Sequence, residues 1–395
     1  MSTMERHARF FLSFIVFPAL VSFAWYATFR FGKHNGLAEL AKALLEARSL
    51  PESSGPLRTR YTGIQGVDRT LSLLTVFFWP TTDGSAPSLS LHTFVFAGAF
   101  GSAWALILLE SWRHGNAWTV LAMASIFGLG AQLFTFAVAA SVYCGLHLWL
   151  SPVSVQLRPE RILAPETVVR VLPVIFVVGY IIPSVAVALT TPGIVSVDIK
   201  QILIALWQPW PGYASLLAFV AHLLLPREDI SSISQRIALR MFYSAAFWPA
   251  AVTHAVGWSV AITSLILPAL FNERIVHALH PREVFGVTWP SSNLRIRSLG
   301  EGVHAFLQWD YLIGCHAVLL WAAAMNVFAQ RKVTGRVNWF RLATTIVGCG
   351  ILFGPVAAAV RLTRLRDELV LQPVVRKEIR SRLNKRANGT VTRRR

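Results

Sequence analysis

The chain has 395 residues, of which 54% are hydrophobic and only 14% are charged. A typical soluble domain has about 25% charged residues, so this composition excludes a cytosolic globular enzyme and a disordered protein. The net charge of +18 could suggest nucleic acid, but residues 361–395 hold 12 Lys and Arg against 3 Asp and Glu, beside an apolar run. That distribution favours a tail at an anionic lipid surface. The composition predicts a polytopic membrane protein that binds no nucleic acid.

The N-terminal third contains one full-length apolar run and one short run. Residues 10–29 follow two arginines, as in a signal peptide, but a run of about 20 residues fits a retained spanning helix better. Within a loop over residues 31–66, the stretch from Leu37 to Arg48 has the spacing of an amphipathic helix on the membrane surface. Residues 67–80 then form a short segment, which is either re-entrant or part of a span.

Longer apolar runs fill the rest of the chain. With the first helix they predict eight transmembrane spans, or nine if the short segment crosses, in one all-α helix bundle over residues 1–362. A basic cytoplasmic tail is predicted over residues 363–395. The prolines in Trp207–Gly212 and in two other runs predict kinked or broken helices around an internal cavity. The runs are Leu91–Trp112, Trp118–Leu150, Val168–Thr191, Ile202–Leu225, Ile237–Phe271, Val303–Ala329 and Arg341–Leu362.

Acidic residues in apolar segments are the candidates for chemistry, because burying an ionisable group in lipid is costly. Asp310 lies about 10 Å into its run, and none of its neighbours at i±3 and i±4 is basic. It is either a proton-donating carboxylic acid or a structural hydrogen-bond acceptor between helices. Glu110 ends the Leu91 run with Arg113 and His114 at i+3 and i+4, so it is either an interfacial ion pair or part of a cavity. Asp68 heads the short segment, either as a helix-capping or first-turn acid or as an acid at the mouth of a re-entrant element.

Aromatic and histidine side chains are the candidates for binding a substrate. Trp79, Trp104 and Trp309 lie at or within apolar runs, where they either pack the core or stabilise a cationic intermediate. His254 lies deep in its run between aromatic residues. No histidine pair has the spacing of a zinc motif, and no nucleotide-binding or nucleophile motif is present, so the sequence predicts neither a metal nor another cofactor.

Two stretches resemble a known family. They are GVDRTLSLLTVFFWPTTDG, residues 66–84, and LLESWRHGNAW, residues 108–118. These stretches and the pattern of spans are similar to those of fungal integral-membrane terpene cyclases from meroterpenoid and other secondary-metabolite gene clusters. The resemblance implies a multi-pass protein of the endoplasmic reticulum that acts without metal or other cofactor.

The resemblance also implies a reaction. Such cyclases protonate an epoxide or terminal olefin of a prenylated precursor, which then cyclises through carbocations, an isomerase- or lyase-like chemistry. It places Asp68 and Glu110 in the site, and Asp310 is added on physical grounds. The expected partners are a hydrophobic prenylated small molecule, the lipid bilayer and other pathway enzymes. Two alternatives remain: a transporter or exporter of a hydrophobic metabolite, suggested by Asp310 and the broken Trp207–Gly212 segment, and a non-catalytic pathway scaffold.

Overall fold

A computed structural model describes residues 3–53, 55–226 and 232–392. Within these ranges every regular element is helical, and the one β-type pairing is an isolated bridge between Ser49 and Pro56. The predicted all-α class is therefore confirmed. The helices are α1 (Thr3–His34), α2 (Leu37–Ala47), α3 (Gln65–Phe78), α4 (Pro87–Ser111), α5 (Ala124–Phe134), α6 (Phe136–Leu150), α7 (residues 166–188), α8 (Val197–Trp207), α9 (Trp210–Leu224), α10 (Ser232–Ile266), α11 (Leu299–Thr334), α12 (Trp339–Phe353) and α13 (Pro355–Thr392).

Five helices of the described chain are long and apolar enough to cross a membrane. They are α1, α4, α7 with the turn that precedes it, α10 and α11. Four further apolar helices, α5, α6, α9 and α12, are shorter. The predicted count of eight or nine spans is not confirmed, because several of the predicted runs are divided into shorter helices.

Breaks in the helices occur both where the sequence predicts them and elsewhere. The predicted break at Trp207–Gly212 is confirmed, since α8 ends at Trp207 and α9 begins at Trp210 after Gln208 and Pro209. The predicted single run from Trp118 to Leu150 is instead two helices, α5 and α6, which meet at Thr135. In contrast, Pro249 lies inside α10 without ending it.

The centre of the bundle is formed by α4 and α11, the two most deeply buried of the five long helices. Helix α4 packs mainly against α10, and α11 packs against α6 and α13. Both helices are apolar around their whole circumference, which is expected when a helix has protein on every side. These two helices carry Glu110 and Asp310, two of the three candidate acids.

The short N-terminal helices lie beside this centre. Helix α2 lies in the stretch predicted as an amphipathic helix, and Leu37 and Ala41 form its buried side. Helix α3 has 14 residues and is therefore about 21 Å long, which is short of the hydrocarbon thickness. Its position beside α2 and α11 makes it a wall of the cavities described next.

The C-terminal segment begins as a helix packed against the bundle rather than as a separate tail. Helix α13 begins at Pro355 and runs through the predicted boundary at residue 362. Arg366 and Asp367 on this helix are almost fully buried against the central helices. The final three residues of the predicted tail lie outside the described ranges. The cytoplasmic location of this segment remains a prediction.

Candidate functional site

The site is built on the break between α5 and α6. Thr135 at the break has a φ of +82°, a conformation that non-glycine residues rarely adopt. Its hydroxyl oxygen accepts a hydrogen bond from the N–H of Val138 and so caps α6. The start of α6 is also held by close packing, because a Cβ at Gly314 of α11 would lie 2.4 Å from the ring of Phe136. Only glycine at that position lets Phe136 and its helix approach α11.

Asp310 of α11 completes this helix start. Its carboxyl oxygens accept hydrogen bonds from the N–H of Ala137 at 2.6 Å and of Phe136 at 3.3 Å. These are two of the N–H groups that an α-helix leaves unsatisfied at its N-terminus. Asp310 is buried and has no ion-pair partner among the described residues. The site therefore combines a carboxyl group with backbone donors that stabilise negative charge on it.

Two cavities meet at Asp310. The first, here called the apolar channel, has a volume of about 520 Å³, within the range of about 300–1,000 Å³ that is usual for ligand pockets. The second, here called the aromatic chamber, has a volume of about 120 Å³. Five residues line both cavities and so mark the junction between them. They are Phe78, Ala131, Gln132, Leu307 and Asp310.

The aromatic chamber takes its rings from several helices. One face of α4 supplies Phe96 and Phe100, which stand four residues apart, and α6 supplies Phe136. The rings of Phe100 and Phe136 are 5.0 Å apart, and Phe96 lies 6.0 Å from each of them. Tyr180 and Trp207 close the other side. Ring faces carry partial negative charge, so an aromatic lining of this kind suits a cation.

The apolar channel leads from Asp310 to the surface of the described molecule. Leucine and phenylalanine side chains of α3 and α11 form its walls, together with small residues of α2. At its outer end Lys42 and Arg69 line both the channel and a neighbouring polar depression, and both side chains are exposed. The arrangement suits a molecule with a long apolar part and a polar end.

Glu110 lies elsewhere, in a fully buried cluster of charges. Its Oε1 accepts from Arg366 at 2.6 Å and from Arg113 at 3.4 Å, and its Oε2 lies 3.1 Å from Nε2 of His147. Because the indole N–H of Trp321 donates to Nδ1 of His147, the histidine hydrogen is assigned to Nε2 and the ring is neutral. The predicted pair of Glu110 with Arg113 is present, but it is buried and extends to α13. Glu110 is not among the described residues that line either cavity.

Asp367 completes the cluster and balances its charge. Arg113 donates to it at 2.5 Å, Arg366 at 2.8 Å and the hydroxyl of Tyr243 at 2.6 Å. Two arginines thus face two carboxylates, and each acid contacts both arginines. Such complete pairing is what allows charges to be buried at all. The cluster ties the end of α4 to α13.

Asp68 organises the loop before α3. Its carboxylate accepts from the N–H groups of Tyr61, Thr62 and Gly63 and from the hydroxyl of Thr62, at 2.7 to 3.1 Å. These hydrogen bonds, led by that from the Thr62 N–H, hold the pKa of Asp68 below its usual value. Asp68 lines the polar depression at the outer end of the channel. It is not among the described residues that line the chamber beside Asp310.

Replacing Asp68 by asparagine is expected to loosen residues 61–63. The amide keeps an acceptor but loses the charge and one acceptor oxygen, so amide hydrogen exchange at Thr62 and Gly63 should become several-fold faster. The pKa of Asp68 is lower in the folded protein than in the unfolded chain. Its carboxylate therefore stabilises the loop fully at a pH above the pKa of a free Asp, and this stabilisation is lost as the pH falls through the folded-state pKa. Exchange measured at two pH values checks both points. Unchanged protection in the variant would contradict this role.

The four predicted substrate-binding side chains are not among the described residues that line either cavity. The indole of Trp104 packs behind Phe100 and against Trp210. The indole N–H of Trp309 donates to the carbonyl of Thr288 at 2.9 Å. These contacts are those of core residues rather than of a cavity wall.

The remaining two have comparable environments. Trp79 is fully buried one residue beyond Phe78, which does line both cavities, and the ammonium group of Lys200 lies 5.7 Å from its ring. Nε2 of His254 bonds to the carbonyl oxygen of Ile351 at 3.1 Å. Of the predicted site residues, Asp310 alone is among the described residues that line these two cavities.

The residues that do line the site were missed because their pattern is weak. Thr93, Phe96, Ala97 and Phe100 recur at helical spacing on α4, but that helix is apolar on every face, so the spacing does not stand out. Trp207 had a signal, since it precedes the proline-rich break. Within the described residues, no group of three or more His, Cys, Asp or Glu side chains is placed to hold a metal ion.

Long apolar helices and an apolar site with one buried carboxyl at its centre are typical of helical membrane proteins that take up a hydrophobic small molecule. The chain belongs to the CtvD family, because the CtvD domain profile matches residues 13–371. The resemblance to fungal terpene cyclases that the sequence indicates is therefore confirmed.

Individual relatives align with this chain over most of their length. The terpene cyclase ctvD of Aspergillus terreus is 31% identical over 85% of this chain and 93% of its own. The terpene cyclase penA of Penicillium crustosum is 29% identical over 93% of this chain and all of its own. The terpene cyclase ascI of Acremonium egyptiacum is 27% identical over 91% and 92%. No solved structure matches the chain.

Proposed function

We propose that the protein is a membrane-embedded terpene cyclase that protonates an epoxide or terminal olefin of a prenylated, meroterpenoid-type precursor. The relatives named above support the reaction class. The observation that carries the proposal is the position of Asp310, a carboxyl at the junction of an apolar channel and a chamber of aromatic rings. The multi-pass arrangement, the endoplasmic reticulum and contacts with other pathway enzymes belong to the same proposal.

Asp310 acts as the general acid. Ionising a carboxyl group in apolar surroundings without a cation is costly, which favours the protonated acid before the reaction. Transfer of its proton to an epoxide oxygen breaks a C–O bond and leaves a hydroxyl group and a carbocation; transfer to an olefin carbon leaves a carbocation directly. The N–H groups of Phe136 and Ala137 then stabilise the carboxylate that forms.

The chamber guides the cation after this step. Each C=C bond of the folded chain attacks the cationic carbon, forms a C–C bond and moves the charge along the chain. The rings of Phe96, Phe100 and Phe136 stabilise these cations and keep water away from them. Loss of a proton from carbon to the Asp310 carboxylate ends the sequence and restores the acid. The overall reaction is an isomerisation, so it consumes no cofactor.

In this proposal the side chains of Trp79, Trp104, Trp309 and His254 do not contact the substrate, because none of them lines either cavity. Asp68 orders the loop at the outer end of the channel, and Glu110 holds α4 to α13. Asp310 is thus the acid in contact with the substrate, while the other two predicted acids position the framework around it.

Isolated membranes provide the test of this function. Membranes with the protein are given a farnesylated phenol and its distal epoxide, without an ion gradient and with EDTA. A cyclised product is expected with at least one of them, and EDTA should leave the rate unchanged. Membranes without the protein are the control. Uptake of the precursor only under a gradient, with no new product, would favour a transporter, and neither product nor uptake would favour a scaffold; either result would contradict a cyclase.

A further inference from the structure

Three side-chain polar atoms of residues that line the aromatic chamber have no partner. They are the amide nitrogen Nε2 of Gln132 and the hydroxyl oxygens of Thr82 and Thr93. Each atom is buried, and none has a hydrogen-bond partner among the described residues. Leaving a buried polar group unpaired is costly, because the group has lost its hydrogen bonds to water. Seventeen such atoms occur among the described residues, and three of them belong to residues that line this one small cavity, where a bound polar group would satisfy them together.

The hydroxyl of Thr93 does not make the hydrogen bond that its own helix offers. A threonine on a helix commonly donates to the carbonyl oxygen four residues before it. Thr70 and Thr75 of α3 do so at 3.0 and 2.8 Å, and Thr253 of α10 does so at 2.9 Å. Thr93 of α4 makes no such bond. Its hydroxyl is therefore free of the usual intrahelical bond, on a residue that lines the chamber.

Gln132 holds the most informative place of the three. It lies in the last turn of α5, three residues before the break at Thr135, and it lines both the channel and the chamber, as Asp310 does. The break that brings α6 to Asp310 thus also brings Gln132 to the junction. An amide offers a donor NH₂ group and an acceptor carbonyl, but it neither gains nor loses a proton at neutral pH. It can hold an oxygen atom but cannot replace Asp310 as the acid.

We propose that Gln132, with Thr93 and Thr82, forms an oxygen-binding subsite that positions an oxygen function of the substrate beside Asp310. The ligand class is an epoxide, ether or hydroxyl group on the part of the chain that enters the chamber. The Gln132 amide donates to this oxygen and fixes its direction. The inference rests on the proposed function for the identity of the ligand, but its basis is binding rather than turnover.

A binding comparison isolates this subsite. The probes are radiolabelled farnesol and its distal epoxide, which share the chain and the hydroxyl end and differ in one distal oxygen. Binding to the full-length protein in lipid nanodiscs gives the ratio of the two dissociation constants. One well-placed hydrogen bond predicts that the wild type binds the epoxide about tenfold more tightly.

The variant Gln132→Met keeps the length of the side chain and removes the amide. It is expected to reduce the preference for the epoxide to about twofold or less, through weaker epoxide binding, while farnesol binding stays unchanged. Thr93→Val, which keeps the shape of threonine, should reduce the preference in the same direction and provides a second readout if Gln132→Met fails to fold. Gln372→Met on the exposed side of α13 is the control and should keep the full preference.

The outcomes separate this inference from the proposed function. A preference that disappears in Gln132→Met supports the subsite even if no cyclised product forms with any probe. A wild type without preference, a preference that survives both variants, or an equal loss of both affinities would overturn it. If the preference survives both variants, water alone satisfies the three polar atoms. Loss of product in Asp310→Asn together with an unchanged preference in Gln132→Met would uphold the cyclase and reject the subsite.

Discussion

Replacing Asp310 by asparagine is expected to reduce cyclisation by about a hundred- to ten-thousandfold, the range that general acids contribute. The amide matches the carboxyl in volume and can still accept a hydrogen bond from the N–H of Ala137, so the start of α6 remains in place. It has no acidic proton to give to the substrate. Product formed from a distal epoxide or olefin precursor, per folded molecule, measures the effect.

Binding provides the control for this variant. Because Asp310→Asn leaves the cavity walls unchanged, the precursor should bind with an affinity within a few-fold of the wild type, and the melting temperature should stay close to it. Asp310→Glu keeps an acid but moves it, so it should retain part of the activity. A folded Asp310→Asn protein that cyclises the precursor within about tenfold of the wild-type rate would rule out Asp310 as the acid.

The second large effect concerns stability. Replacing Arg366 by methionine is expected to lower the free energy of unfolding by about 3–5 kcal/mol, because it leaves two buried carboxylates, Glu110 and Asp367, with one arginine between them. Removing one partner of a buried ion pair costs more than the pair contributes, since the remaining charge stays away from water. Unfolding of the purified protein in a denaturing detergent measures the loss.

The same helix offers a matched control. Arg364 pairs with Glu368 at 3.2 Å, and its side chain remains 39% exposed. Arg364→Met should therefore cost less than about 1 kcal/mol, as surface pairs do. Equal losses in the two variants would show that the buried cluster contributes no more than a surface pair. Truncation after residue 362 should be more damaging than either substitution, because it also removes the buried apolar residues of α13, including Val370 and Leu371.

The sequence predicts the parts of this fold that composition and proline placement determine. The shortage of charged residues gives the all-helical class, and the two prolines after Trp207 give the break between α8 and α9. The break at Thr135 has no such signal, because it depends on contacts far away in the chain. Asp310 accepts from the first N–H groups of α6, and Gly314 admits Phe136. A single sequence does not show that these positions meet.

The same reasoning explains the predictions about the site. Asp310 stands out in the sequence because it lacks a basic neighbour on its own helix, and in the structure it also lacks one across helices among the described residues. Glu110 has a basic neighbour in the sequence, Arg113, but its shorter contact is with Arg366, which lies 256 residues further along the chain. The basic segment from which Arg366 comes suggested a tail at the lipid surface, and its role inside the bundle could not be read from charge alone.

The central claim is that Asp310 starts the cyclisation. Its most direct test is the single-turnover rate of cyclisation of one prenylated precursor, per folded molecule and in EDTA, in the wild type and in Asp68→Asn, Glu110→Gln and Asp310→Asn. We expect the rate to be lost in Asp310→Asn alone, with Glu110→Gln less stable but competent when folded. A wild-type rate in Asp310→Asn together with a lost rate in folded Glu110→Gln or Asp68→Asn would contradict it.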